Sequence, residues 1–223
     1  MDRQTLKLVL IDQNEIRLPS YLYDRDVFPK IEAYQKATEA VILQGIRRSG
    51  KSTLLQLVRK KSKENNYYLN FDDDRLVTFS AEDFQLLYEL FIELYGIQHT
   101  FYFDEIQNVP DWERFIRRLH DKGIKVYITG SNANLLSAEL GTKLTGRHLT
   151  AEVYPFSFHE WVNRHNPLLL QTTYYTTEQK GIILQLFSQY CEIGGIPEYV
   201  QTRVSDTLHR LFEGIIFRDI LAR

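Results

Sequence analysis

Residues 44–53 read QGIRRSGKST and follow directly on the apolar run AVIL at 40–43. Gly45 through Ser52 fit Gly-x-x-x-x-Gly-Lys-Ser/Thr, the spacing of a loop that cradles phosphate. Each position has a physical task. Glycine lets the backbone curl so that its amides turn inward, and a helix starting near Gly50 adds the positive end of its dipole. Lys51 is placed to reach β- and γ-phosphates, and the Ser52 hydroxyl to ligate magnesium. A glycine-rich turn with an incidental lysine is the bland alternative. The position of the match, between an apolar run and a helical pattern, favours the phosphate loop. Arg47 and Arg48 are compatible with approach to a nucleotide or with an outward position.

Strand and helix patterns alternate outward from this loop. Residues 39–44 suit a buried strand, and 51–65 a helix with its basic end at the C-terminal turn. NYYLNF (66–71) reads as a second strand, with DDD (72–74) as the polar turn after it. Residues 80–96 predict a helix, with Ser80 as N-cap, Asp83 three positions on and Gly96 at the stop. HTFYFDEI (99–106) predicts a third strand running into two acids, 109–123 a helix, 124–132 a fourth strand and 147–156 a fifth. Residues 22–38 read as a helical lead-in interrupted at Pro29, and 157–166, 177–192 and 198–222 as helical segments. The expected fold is α/β: a P-loop NTPase with a parallel five-stranded sheet, helices on both faces, followed by a partial helical region. The expected organisation is an N-terminal extension over 1–21, a nucleotide core over 22–156 and a helical region over 157–223.

Ligands of such sheets bind at the carboxyl ends of strands. Three polar clusters fall there: 45–53, 104–105 and 129–132. Asp104 suits the outer partner of the magnesium held by Ser52, and Glu105 suits a general base acting on water. Adjacent Asp-Glu points to the additional-strand class of hydrolases rather than to most GTPases and small-molecule kinases. In TGSN (129–132), Ser131 or Asn132 is the candidate for sensing the γ-phosphate, with a helix N-cap as the competing role for Asn132. Arg147, after the GTKLTG loop, could act on a γ-phosphate in its own chain or in a neighbour. Arg114, Arg117 and Arg118 share a helix face that could meet nucleic acid, though a solvated face is the simpler account. The absence of Asn-Lys-x-Asp speaks for adenine over guanine.

Composition limits the alternatives. The formal net charge of -2 argues against a surface that binds nucleic acid throughout. Cys191 is the single cysteine, which excludes an internal disulfide and a cysteine metal cluster. No run of about 18 apolar residues and no secretory signal pattern is present, so the expected setting is the cytoplasm, away from membranes.

GIRRSGKSTLL, YLNFDDDRL, FYFDEIQNVPDWE, YITGSNANLLSAELGTKLTGR and VYPFSFHEW together resemble a group of bacterial and archaeal ATPases of the AAA+ superfamily, with an N-terminal ATPase domain and a C-terminal domain of unknown function. The resemblance covers roughly residues 22–223. It implies binding of ATP with Mg2+ and hydrolysis. The Walker A loop would contribute Gly45, Arg48, Ser49, Gly50, Lys51, Ser52 and Thr53, and the Walker B pair would be Asp104 and Glu105. Ser131 and Asn132 would fall at the first sensor, and Arg147 at γ-phosphate sensing. Gln107, Asp72 and Arg75 also match family blocks, without assigned chemistry. GGIPE (194–198) and FRDI (217–220) look like the start of the family's C-terminal region, which is expected to be truncated here. A homo-oligomer or a partner protein are the partners implied besides ATP, with DNA the least supported.

Overall fold

The computed structural model describes residues 1–20, 22–131, 144 and 146–214, with Ser131 by its backbone alone. The chain divides into two compact units. The first comprises Met1–Leu18, Lys30–Gly45 and Lys51–Glu152, and the second Pro19–Pro29, Ile46–Gly50 and the chain from Val153 on.

The first unit is built on a parallel sheet of β1 (Ala40–Gly45), β2 (Tyr68–Asn70), β3 (Thr100–Asp104), β4 (Lys125–Ser131) and β5 (His148–Glu152). Its order is β2-β3-β4-β1-β5. β4 therefore lies between the strand that enters the phosphate loop and the strand that carries the acidic pair. That inserted strand is what the additional-strand expectation required. Alternate residues of a strand face opposite sides. On one face Ala40, Ile42, Leu69, Phe101, Phe103, Val126 and Ile128 join the main core. They meet α1 (Arg3–Gln13), α4 (Phe84–Tyr95) and α5 (Trp112–Asp121), whose Leu6, Val9, Leu10, Phe84, Leu87, Phe91, Phe115 and Ile116 are buried in the same cluster. Phe84 stacks on Phe115 with ring centroids 4.4 Å apart. α3 (Lys51–Lys61) packs on β1, β3 and β4 and buries Leu54 and Leu55. All six residues of β1 are buried. Both sheet faces are thus covered, which is why the strands read as near-continuous apolar runs.

Several elements differ from the sequence reading. Within the stretch read as an extension, Arg3–Gln13 is a helix capped by Asp2, whose carboxylate accepts from the Thr5 amide at 2.8 Å, and its apolar face is part of the core. The lead-in helix is only α2 (Phe28–Tyr34), with Pro29 in its first turn, where a missing N–H costs nothing. Lys125 closes the end of that segment by donating to the carbonyls of Tyr34, Ala37 and Glu39 at 2.7–2.8 Å. Burial lowers the Lys125 ammonium to about 8. Arg75, without assigned chemistry in the sequence, makes a structural pair with Asp73. Arg75 donates to Asp73 and, at 2.6 Å, to Asp12 of α1, and this hydrogen bonding holds the Asp73 carboxyl well below its usual range.

The second unit contains α6 (Phe158–His165), α7 (Thr177–Ile193), α8 (Pro197–Thr202) and α9 (Ser205–Gly214). Its core gathers Tyr23, Phe156, Trp161, Val162, Leu169, Leu186 and Val200. Gly195 of GGIPE lies against the Phe156 backbone, where a Cβ would come within 2.2 Å of the Phe156 carbonyl oxygen. The Phe156 amide donates to the Gly195 carbonyl at 2.7 Å, so only glycine permits this approach. The expected long helix over 198–222 is broken at Arg203, which takes a left-handed φ of 57°; beyond 214 it lies outside the described residues.

Candidate phosphate-loop site

The parallel register brings the strand ends to one edge. Gly45 is level with Ser131, and Asn70 with Asp104. Lys51 and Ser52 open α3, so the helix N-terminus stands at this same edge. Lys51 is buried, and its Nζ donates to the Gly45 carbonyl at 3.0 Å. The Ser52 hydroxyl donates to Asp104 Oδ1 at 3.0 Å. Two residues 52 positions apart in the chain thus present adjacent hard oxygens, a donor set that fits magnesium.

Asp104 is buried and receives two further hydroxyls. Thr129 donates to the same Oδ1, and Tyr68 donates to Oδ2 at 3.4 Å. Burial pushes the Asp104 carboxyl above its ordinary range, against the opposing pull of the Thr129 and Ser52 hydrogen bonds. Tyr68 is held by Arg59, whose guanidinium carbon sits 4.1 Å from the ring centroid. Glu105 has a left-handed backbone at φ 52°, ψ 40°, which a non-glycine residue adopts only where its surroundings impose it. The Glu105 amide donates to the Thr129 hydroxyl at 3.1 Å, and its carboxylate accepts from the Gln107 side chain. Thr129 therefore ties both acids to β4.

The loop residues 46–50 group with the second unit. Ser49 donates its amide to the Ile46 carbonyl at 3.3 Å, closing a turn. Arg48 is left-handed at φ 60° and its guanidinium pairs with Glu198 of α8. Gly50 has φ 97°, which L side chains rarely adopt.

The structure brings Lys51, Ser52, Asp104 and Glu105 to one sheet edge and separates Arg147 from them. The Arg147 carbonyl accepts from Ala40 at 2.9 Å, at the start of β1, and its Nε lies 3.7 Å from Asp121 Oδ1. At about 3.3 Å per strand residue, that is roughly 16 Å from Gly45. Arg147 therefore stands at the opposite end of β1 from the phosphate loop, with its guanidinium near Asp121. Asn132 and the Ser131 side chain lie outside the described residues. Arg114 sits 3.9 Å from Asp111, and Arg118 lies over the Phe115 ring, so the basic face of α5 is partly occupied within the chain. Thr129, Tyr68 and Gln107 are contacts the sequence did not assign. Thr129 belongs to the TGSN tip, whose sensor candidates are Ser131 and Asn132.

Among the described residues no helix is long and apolar enough to cross a membrane. The family model described as AAA domain matches residues 37–162, more than half of the chain. An uncharacterized protein of Methanocaldococcus jannaschii is 31% identical over 220 residues, covering 96% of this chain and 48% of that protein. An uncharacterized protein of Haemophilus influenzae is 35% identical over 195 residues, covering 82% of this chain and 46% of the relative. The chain thus spans about half the length of the curated relatives it matches. Among solved structures, the Walker-type ATPase PABY2304 of Pyrococcus abyssi superposes with a TM-score of 0.53 at 16% identity, over 93% of this chain and 78% of the other, a likeness of fold. The sheet order, the phosphate loop leading into α3 and the family match together make this chain a member of the AAA domain family of P-loop ATPases.

Proposed function

We propose that the chain binds ATP with Mg2+ at the 45–53 loop and hydrolyses it to ADP and phosphate. The observation that carries this reading is the 3.0 Å contact between Ser52 and the buried Asp104. A carboxylate buried in this way costs folding free energy unless a cation repays it. Lys51 binds the terminal phosphates, and Ser52 with Asp104 would hold magnesium. Bound there, the metal neutralises charge developing on phosphate oxygens. Glu105 accepts a proton from the attacking water as its oxygen bonds to the γ-phosphorus and ADP leaves. Phosphate release from ATP by the wild type, with magnesium and with a chelator, tests this; equal rates under the two conditions would sink it.

The same burial yields a stability prediction. Between the ordinary carboxyl value and the raised value of folded Asp104, the folded state holds a proton that the unfolded state has lost. Stability from this group therefore falls as pH rises through that window. Asp104→Asn is expected to raise the Tm of the nucleotide-free protein by about 2–4 °C at neutral pH, and less in acid. It is also expected to abolish the magnesium dependence of ATP binding. Thermal melts across pH check the first effect, and a Tm lower than wild type at neutral pH would refute it.

A second reading is a slow ATP-gated switch, and one contact favours it: Gln107 holds the Glu105 carboxylate. In that case Gln107→Ala frees the base and raises kcat by about tenfold, within the range that general-base catalysis supplies. A kcat that stays level or drops removes the switch reading and leaves Gln107 as support for an active base.

A further inference from the structure

Arg25 was not singled out by any motif, yet it is buried with its side chain only 6% exposed. Its three nitrogens each have a separate acceptor. Nε donates to Glu160 Oε1 at 3.0 Å, Nη1 to the Ser49 carbonyl at 3.0 Å and Nη2 to the Tyr154 carbonyl. The guanidinium carbon also sits 4.9 Å from the centroid of the Phe156 ring. Glu160 is fixed in turn: Oε1 accepts from the Asp26 amide at 2.8 Å, and Oε2 from the Ser157 amide at 3.0 Å in the capping box of α6. All these groups belong to the second unit.

A buried ion pair is weak evidence for stability, because two well-packed apolar residues would serve as well. What an apolar pair cannot do is hold a main-chain carbonyl. The Ser49 carbonyl belongs to the same planar trans peptide as the Gly50 N–H, and the two point in opposite directions. Gly50 is close enough that a Cβ there would lie 3.1 Å from Arg25 Nη1.

We propose that Arg25 is a positioning residue of the phosphate loop: by holding the Ser49 carbonyl it fixes the Ser49–Gly50 peptide plane and presets the Gly50 N–H as a donor for phosphate oxygen. This rests on the nucleotide-binding reading above. It also assigns a task to the VYPFSFHEW block, since Tyr154, Phe156 and Glu160 form the seat that keeps Arg25 in place. The planar fork is required, because a lysine keeps the charge but cannot span three acceptors in fixed directions.

The test is calorimetric titration of ADP with magnesium into wild type, Arg25→Lys and the doubly apolar Arg25→Leu/Glu160→Leu, each well below its own Tm. The double variant leaves no buried charge unpaired and serves if Arg25→Lys fails to fold. Both are expected to bind ADP roughly ten- to hundredfold more weakly. In protein labelled at glycine, the Gly50 amide resonance is expected to move on ADP addition in wild type, and to start from a different position in the folded variants. Wild-type affinity in a folded variant, or an unchanged Gly50 resonance, overturns the inference while leaving the nucleotide site standing. If wild type itself fails to bind ADP, the nucleotide reading falls first, and this inference with it.

Discussion

Glu105→Gln is expected to lower ATP turnover by about 10²–10⁴-fold while leaving ATP affinity near wild type. The substitution keeps the shape of the side chain, and it removes the negative charge together with the capacity to take a proton. The left-handed backbone of Glu105 and the hydrogen bond from its amide to the Thr129 hydroxyl do not depend on the carboxylate, so the local fold should persist. Single-turnover phosphate release and a parallel binding titration separate the two effects. A variant that turns over at the wild-type rate would show that another group, or water alone, accepts the proton.

The second large effect is on binding. Lys51→Met is expected to weaken ATP by roughly a hundredfold, the scale of charge-assisted hydrogen bonds to phosphate. Methionine keeps the apolar stem of a residue that is 4% exposed, and it removes the ammonium that now donates to the Gly45 carbonyl. The effect should grow with the number of phosphates, so adenosine affinity should change little. Equal losses for ATP and adenosine would mean that the substitution damaged the fold rather than a phosphate contact.

What could be read in advance divides along physical lines. Strands β1, β3 and β4 were legible because burial on both faces makes them continuous apolar runs between turn signals. The phosphate loop was legible because its function imposes residue types at fixed spacing within eight positions. α1 was not, because Leu6, Val9 and Leu10 form a short apolar stripe interrupted by charge, and its partners, among them α4 and β2, come from distant parts of the chain. Thr129 and Tyr68 were not, because their contact with Asp104 depends on sheet register: Asn70 pairs with Asp104, and Thr129 follows Ile128, the partner of Phe103. Arg147 shows the reverse case. A motif suggested a role, and the topology placed its backbone beside Ala40 at the far edge of the sheet.

The central claim, that the loop and the Ser52–Asp104 pair form a magnesium-assisted ATP site, is tested most directly by calorimetric titration of ATP into the wild-type chain. The titration is run once with excess magnesium and once with excess chelator. The expected result is saturable one-to-one binding with magnesium, weakened about tenfold or more by the chelator, in line with the loss of a strong ionic contact. No saturable binding in magnesium, or the same affinity under both conditions, would contradict it.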